Sequence, residues 1–417
     1  MKPCRILLGM AALLAAGCPA YAVGESYVSA LDREPAKVDL RGITAKEGES
    51  ETLLSFFKNR TQTGVGFDEE YTDNVFLQDN AKRDDFITTL ESLILFADPR
   101  GALLYGFRYE VNAYRYHHLN ANAVDHDFLA FADFDTGGRL VYHLDYALNV
   151  NNSLVSGTNG TDIIRRSTDF QRSVEHSWLA KAKYALNDNN YLVAQGHYSL
   201  FDDQSVNDAS SDRKRFRGTL DLDHDLTSTW TVLGGYIYED FFVPGDKSKS
   251  AERQGGRLGA RYELTETQKL DAAFELKHTT FKGGQTSLDP SFAGNFIYQV
   301  GPRTTLTFGY SDKRDVSFVS GRLHYRDRSP VIGALYDLTP LVQLHSEANY
   351  SKQTSSQSDS LTSSGLGPEK QTVYSLTAGF KWEVREQAHI TADYTYSRST
   401  TRDYTNNTLT VGFETQI

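Results

Sequence analysis

The chain has 417 residues, 12% of them aromatic, with 32 glycines, 10 prolines and a formal net charge of −11. So much aromatic mass excludes collagen-like or low-complexity disorder. The acidic balance, with no basic stripe to offset it, excludes nucleic acid as a partner, because phosphate would be repelled.

Residues 1–22 open with Lys2 and Arg5, continue in an apolar run from Ile6 to Ala16, and end in the small-x-small pattern Ala20-Tyr21-Ala22. This predicts a secretory signal peptide. Both cysteines, Cys4 and Cys18, fall inside it, so the mature chain uses no disulfide. Leu14-Ala15-Ala16-Gly17-Cys18 also resembles a lipoprotein box, with Ala15 where that box usually has leucine. Residues 23–58 are charged and lack strand rhythm; they read as a periplasmic lead-in with a short helix around Glu51–Lys58.

From residue 59 to 417 the pattern changes. No stretch offers 18 consecutive apolar residues, so transmembrane helices are excluded. Apolar and polar residues alternate instead, as in Leu103-x-Tyr105-x-Phe107-x-Tyr109-x-Val111 around Arg108, Glu110 and Asn112. The same alternation runs through 140–150, 270–277 and 388–396. Such segments give each strand one apolar and one polar face. Tight turns separate pairs of these strands. In chain order they are Asp98-Pro99-Arg100-Gly101, Thr136-Gly137-Gly138, Asn187-Asp188-Asn189-Asn190 and Thr227-Ser228-Thr229. Thr265-Glu266-Thr267, Gly301-Pro302, Thr339-Pro340 and Glu386-Gln387 follow. Long polar connections (72–84, 117–125, 151–172, 202–213 and 352–370) alternate with them.

One hairpin per roughly 40 residues is too sparse in strands for a four-stranded propeller blade. Strands of ~11 residues, tilted ~45°, instead span roughly 25 Å, the height of an outer-membrane apolar band. Eight turns join nine hairpins. The expectation is an all-β, transmembrane, antiparallel up-and-down barrel of 18 strands with both termini periplasmic. The last strand alternates to the end, Thr408-Leu409-Thr410-Val411-Gly412-Phe413-Glu414-Thr415-Gln416-Ile417. It resembles the signal read by outer-membrane assembly machinery, with Ile417 in place of the usual phenylalanine.

At the first strand, Phe67-Asp68-Glu69-Glu70-Tyr71-Thr72-Asp73-Asn74-Val75-Phe76 is followed by Arg83-Asp84-Asp85-Phe86-Ile87-Thr88. This opening resembles that of the β-barrel porin 2 family, with Asp73, Asn74 and Asp85 as the motif residues. The resemblance implies an outer-membrane barrel, in some members tied to exopolysaccharide export, with polysaccharide and a periplasmic export protein as partners. The residues themselves also suit simple turn formation at the strand end.

The alternation assigns the polar face to the lumen. Its lining candidates are Arg108, Glu110, Asp145, Asp221, Asp223, Asp225, Glu275, Lys277, Glu347 and Asp393. Acids exceed bases along this register, which favours cations or neutral solutes. The same charges could instead pair across strands and hydrate the wall. Asp221-x-Asp223-x-Asp225 lacks the glycine and glutamate of a calcium loop, with Leu226 and Val232 at those places. No metal or other cofactor is expected. His143, His197, His345 and His389 face inward, but no nucleophile elbow or zinc-helix motif accompanies them, so no enzyme is expected.

Trp178, Trp230, Tyr236, Tyr238, Trp382 and Tyr396 fall on the outward register and suit interfacial girdles against outer-membrane lipid. Tyr114, Tyr116, Phe131 and Tyr191 would face the lumen or rim. The reading is a pore, with exopolysaccharide export implied by the family resemblance. A general diffusion porin and a blocked structural or adhesive barrel are the alternatives.

Overall fold

In the computed structural model of the chain, the described residues are 57, 59–75, 82–152, 172–203, 212–244, 247–265, 268–316, 322–357, 370–385, 387–400 and 404–416. Residues 1–22, expected to be a signal peptide, the expected lead-in over 23–58 apart from Phe57, and Ile417 lie outside them. The first hairpins comprise β1 (Thr61–Thr72), β2 (Asp85–Arg100), β3 (Leu103–Tyr116), β4 (Ala121–Asp135), β5 (Leu140–Asn151) and β6 (Ser173–Asn187). Next come β7 (Asn190–Asp203), β8 (Arg213–Asp225), β9 (Trp230–Phe242), β10 (Ala251–Thr265), β11 (Gln268–Phe281) and β12 (Thr286–Gln299). The last six are β13 (Thr304–Val316), β14 (Arg322–Thr339), β15 (Val342–Gln357), β16 (Lys370–Arg385), β17 (Ala388–Ser399) and β18 (Tyr404–Gln416).

Every strand pairs antiparallel with its sequence neighbours, and β1 pairs with β18, so the 18-stranded sheet closes on itself. Closure matters physically because an open edge in lipid would leave a row of unpaired backbone groups. Where the described residues cover them, the tight connections fall at the expected turn residues, with β2 running on through Arg100 before the chain turns at Gly101-Ala102; 266–267 and 386 lie outside the described residues. Gly101, Gly137, Gly138 and Gly301 hold positive φ at three of them, a conformation glycine adopts without steric cost. β1 begins and β18 ends at this tight-turn end, since Thr61 pairs with Phe96 and Gly64 with Gln416.

The opposite end departs from expectation in two places. The connection expected over 117–125 contracts to four residues, and Ala121–Asp125 continue β4. Asn120 takes a left-handed φ of 50°, and the Asp85 carboxylate accepts hydrogen bonds from the His118 and Leu119 amides. Likewise 352–357 belong to β15 rather than to a loop. Both strands extend beyond the length needed to cross the apolar layer.

The side-chain alternation survives intact. Phe107, Trp178, Leu220, Phe274, Phe308, Leu376 and Val411 are exposed on the outer face, while Thr307, Glu275 and Asp393 are buried on the inner one. Trp178, Trp230, Tyr236 and Trp382 also lie exposed on the outside. Rings continue from strand to strand, with Phe96, Phe107 and Phe128 stacked in series and Tyr146, Trp178 and Tyr198 after them. Phe57 lies against this series, 6.5 Å from Phe96. Among the described residues no helix is long and apolar enough to cross a membrane; the strands cross it. A closed sheet with an apolar outer belt and aromatic girdles is an outer-membrane β-barrel.

Candidate functional site

The inner wall is the candidate site, and the strand register places all the expected lining residues on it. Arg108 and Glu110 stand on β3, 3.8 Å apart. Asp145 on β5 accepts from His143 at 3.3 Å, while the other ring nitrogen of His143 meets Asp133 at 2.6 Å. Asp393 on β17 meets His345 Nε2 at 2.6 Å. Gly379 stands beside that pair, and a Cβ there would collide with Asp393 Oδ1, so glycine makes the contact possible. Glu347 lies between Gly333 and Thr377 on the neighbouring strands. Asp221, Asp223 and Asp225 share one face of β8. Asp221 lies 3.6 Å from Arg257, and Asp225 accepts the Thr231 hydroxyl at 2.6 Å near the turn.

Glu275 and Lys277 have a different fate. They are 2.9 Å apart and belong to a buried ionic network across the inner faces of β8–β13. Its hub is Glu239, fully buried, which pairs with Arg217, with Arg253 at 3.0 Å, and with Lys277 and Arg215 at 3.6 Å each. Arg253 continues to Asp315 at 2.7 Å, and Arg217 to Glu275 at 2.7 Å. Phe241, Ala251, Phe281 and Val316 form an apolar cluster beside this network toward the long-loop end. With carboxylates and cations interleaved, this half-wall is close to electrically balanced.

The other half-wall is not balanced. On the inner faces of β17, β18 and β1–β5, Arg108 is the single lysine or arginine among the described residues. Against it stand Asp393, Glu414, Asp68, Glu70, Glu91, Glu110, Asp125 and Asp127, with Asp133 and Asp145 nearer the turns. Glu91, Glu110 and Glu414 converge on one recess, whose floor is left low by Gly64 and Gly66. Asp68, Glu70, Glu91, Asp125, Asp127 and Glu414 are lining residues of this arc that the sequence reading missed. Their signal was available: Val65 and Phe67 alternate with Gly64, Gly66 and Asp68 on β1.

The motif residues fasten backbone. Asp73 accepts from the Asn407 amide at 2.7 Å and from its side-chain nitrogen at 2.6 Å, closing β1 onto β18. Asn74 is buried and donates to the Thr405 carbonyl at 3.0 Å. Asp85 caps the β3–β4 turn. Tyr116 packs inside with Val75, Ile87 and Ala123, and Tyr114 lies against the same cluster. Phe131 packs with Leu95, Ala97, Leu129 and Ala147 in a second inner apolar cluster. Tyr191 lies under the Lys183 ammonium, 4.0 Å away. Among the described residues, no three acidic, histidine or cysteine side chains are placed to hold a metal ion.

No family model matches the chain, so the resemblance read from Asp73 and Asn74 gains no support there, and no curated protein matches either. Solved barrels are similar in outline. The OccK5 (OpdH) structure of Pseudomonas aeruginosa is 12% identical, with a TM-score of 0.49 over 87% of this chain and 99% of its own. OccAB3 of Acinetobacter baumannii is 11% identical, with a TM-score of 0.45 over 86% of this chain and 99% of its own. The FrpB iron transporter of Neisseria meningitidis is 11% identical, with a TM-score of 0.49 over 83% of this chain; the match spans 62% of the FrpB chain. At these values the likeness carries no function across, and the reading rests on the barrel's own wall.

Proposed function

We propose that the protein is a diffusion pore for small polar solutes, preferring cations, with its tight-turn end in the periplasm. One observation carries this reading. An arc of seven adjacent strands presents carboxylates to the lumen with Arg108 as the lone lysine or arginine among the described residues and with His143 and His389 paired to Asp133, Asp145 and Glu414, whereas the facing arc is balanced by its own ionic network. Barrels of 16–18 strands are wide enough for an aqueous channel. Fixed charge of one sign along such a channel raises the local concentration of counter-ions. Export of an exopolysaccharide, implied only by the family resemblance, has no wall feature in its favour.

The test is solute entry into liposomes carrying the purified barrel. Lysine and glutamate are close in size and opposite in net charge. Lysine should enter several-fold faster, and the difference should shrink in the variant Asp68→Asn, Glu91→Gln, Asp127→Asn. Equal entry of the two amino acids would refute the electrostatic part, and no entry of either would favour a blocked barrel.

A further inference from the structure

The outer surface of β13–β17 carries a second charged feature, and its sign is opposite to that of the lumen. The outward face climbs toward the long-loop end in rows. Phe308 pairs with Ile332, both exposed and apolar, and Tyr310 with Pro330 one step above. Tyr350, Tyr374 and Arg398 are matched across the next strands. Beyond these rings lies a row of Asp312, Arg328 and Lys352, and then a row of Arg314 and Arg326, with Lys370 opposite Thr354. Arg326, Arg328, Lys352 and Lys370 therefore sit just above the ring row and Arg398 within it, with Asp312 as the carboxylate among them, while Arg314 turns to the buried Asp289 at 3.1 Å. Asp312 is bound by Arg326 at 2.6 Å through both oxygens and approached by Arg328 at 3.4 Å. Lys352, Lys370 and Arg398 have no ion pair among the described residues, and Lys370 and Arg398 are exposed. Elsewhere on the outer rim Glu69, Asp240 and Glu252 interrupt the positive charge.

Arg328 lies directly across from Lys352, which has no ion pair among the described residues. Like charges in directly opposed positions destabilise a sheet unless an anion lies between them. The height of the rows identifies that anion. Aromatic rings mark the boundary between acyl chains and headgroups, so cations one and two steps beyond them lie at the level of headgroup phosphate. We infer that this face binds the phosphates of lipid A in the outer leaflet, with guanidinium forks on the phosphate oxygens and acyl chains along the Phe308–Ile332 belt. The inference rests on the orientation proposed above, with the tight-turn end in the periplasm, but not on conduction, because Arg326, Arg328, Lys352, Lys370 and Arg398 face away from the lumen.

The test uses the full barrel in mild detergent, titrated with diphosphoryl lipid A or phosphatidylglycerol and read by native mass spectrometry. The wild type should bind diphosphoryl lipid A at least about tenfold more tightly than phosphatidylglycerol. The variant Arg328→Gln, Lys352→Gln, Arg398→Gln should lose about tenfold or more of that affinity while conducting normally. Raising salt on the wild type should weaken lipid A binding to a similar extent, which serves if the variant fails to fold. Equal binding by wild type and variant, or salt-independent binding, would overturn the site. Equal affinity for phosphatidylglycerol would overturn the choice of lipid A.

Discussion

Replacing Glu239 by alanine is expected to cost about 3–5 kcal/mol of barrel stability, the usual penalty for stranding buried charge. Glu239 is the carboxylate on which Arg217, Arg253, Lys277 and Arg215 converge, and it is fully buried among them. Its removal leaves Arg253 to Asp315 and Asp289, and Arg217 to Glu275, with an excess of positive charge in a small volume. Glu239→Gln keeps the volume and one acceptor, so it should lose less. Reversible unfolding from bilayers measures both. A loss below about 1 kcal/mol for the alanine variant would mean that water replaces the carboxylate, and that the network is a hydrated wall and not a packed one.

Phe308→Arg should cost about 2–4 kcal/mol in the same measurement, whereas Thr307→Arg should cost far less. Phe308 is 42% exposed on the outer face and lies 6.4 Å from Phe296, while Thr307 is 4% exposed on the inner face. Arginine at 308 would meet acyl chains; at 307 it would meet the polar lumen. Because the side-chain period of a strand is two, a register slip of one residue would reverse the order of these losses. Equal losses would contradict the assignment of faces.

Local features of the sequence were enough to reveal the barrel. Turn residues such as Thr136-Gly137-Gly138 and Asn187–Asn190 demand reversals, and alternation such as Leu270-x-Ala272-x-Phe274-x-Leu276 names the outward face strand by strand. The connection over 117–125 reads as a loop because Asn120, Asn122 and Asp125 give it loop composition. The contraction depends on Asp85, more than thirty residues away in the chain, capping the turn.

The ionic network was less legible for a related reason. Register names only adjacent partners, yet Arg253 on β10 reaches Asp315 on β13, and Arg217 on β8 reaches Glu275 on β11. Long side chains on a concave wall converge across intervening strands. Gly235 helps here: a Cβ at that position would collide with Asp221, which leans toward Arg257. The acidic stripe Asp221, Asp223 and Asp225 consequently stands on the balanced side of the barrel. Asp68, Glu91 and Asp127, on β1, β2 and β4, have no ion pair with a lysine or arginine among the described residues.

That redistribution sets the sign of the current the barrel carries. The purified barrel is placed in a planar bilayer under a potassium chloride gradient and its reversal potential is read at low ionic strength. There the Debye length is ~30 Å at 0.01 M, against ~8 Å at 0.15 M, so the wall's field reaches across the lumen. A cation-selective reversal potential is expected. It should fall toward zero in the variant Asp68→Asn, Glu91→Gln, Asp127→Asn and change little when Asp221, Asp223 and Asp225 become asparagine. An anion-selective wild type, or a wild type that does not conduct, would contradict it.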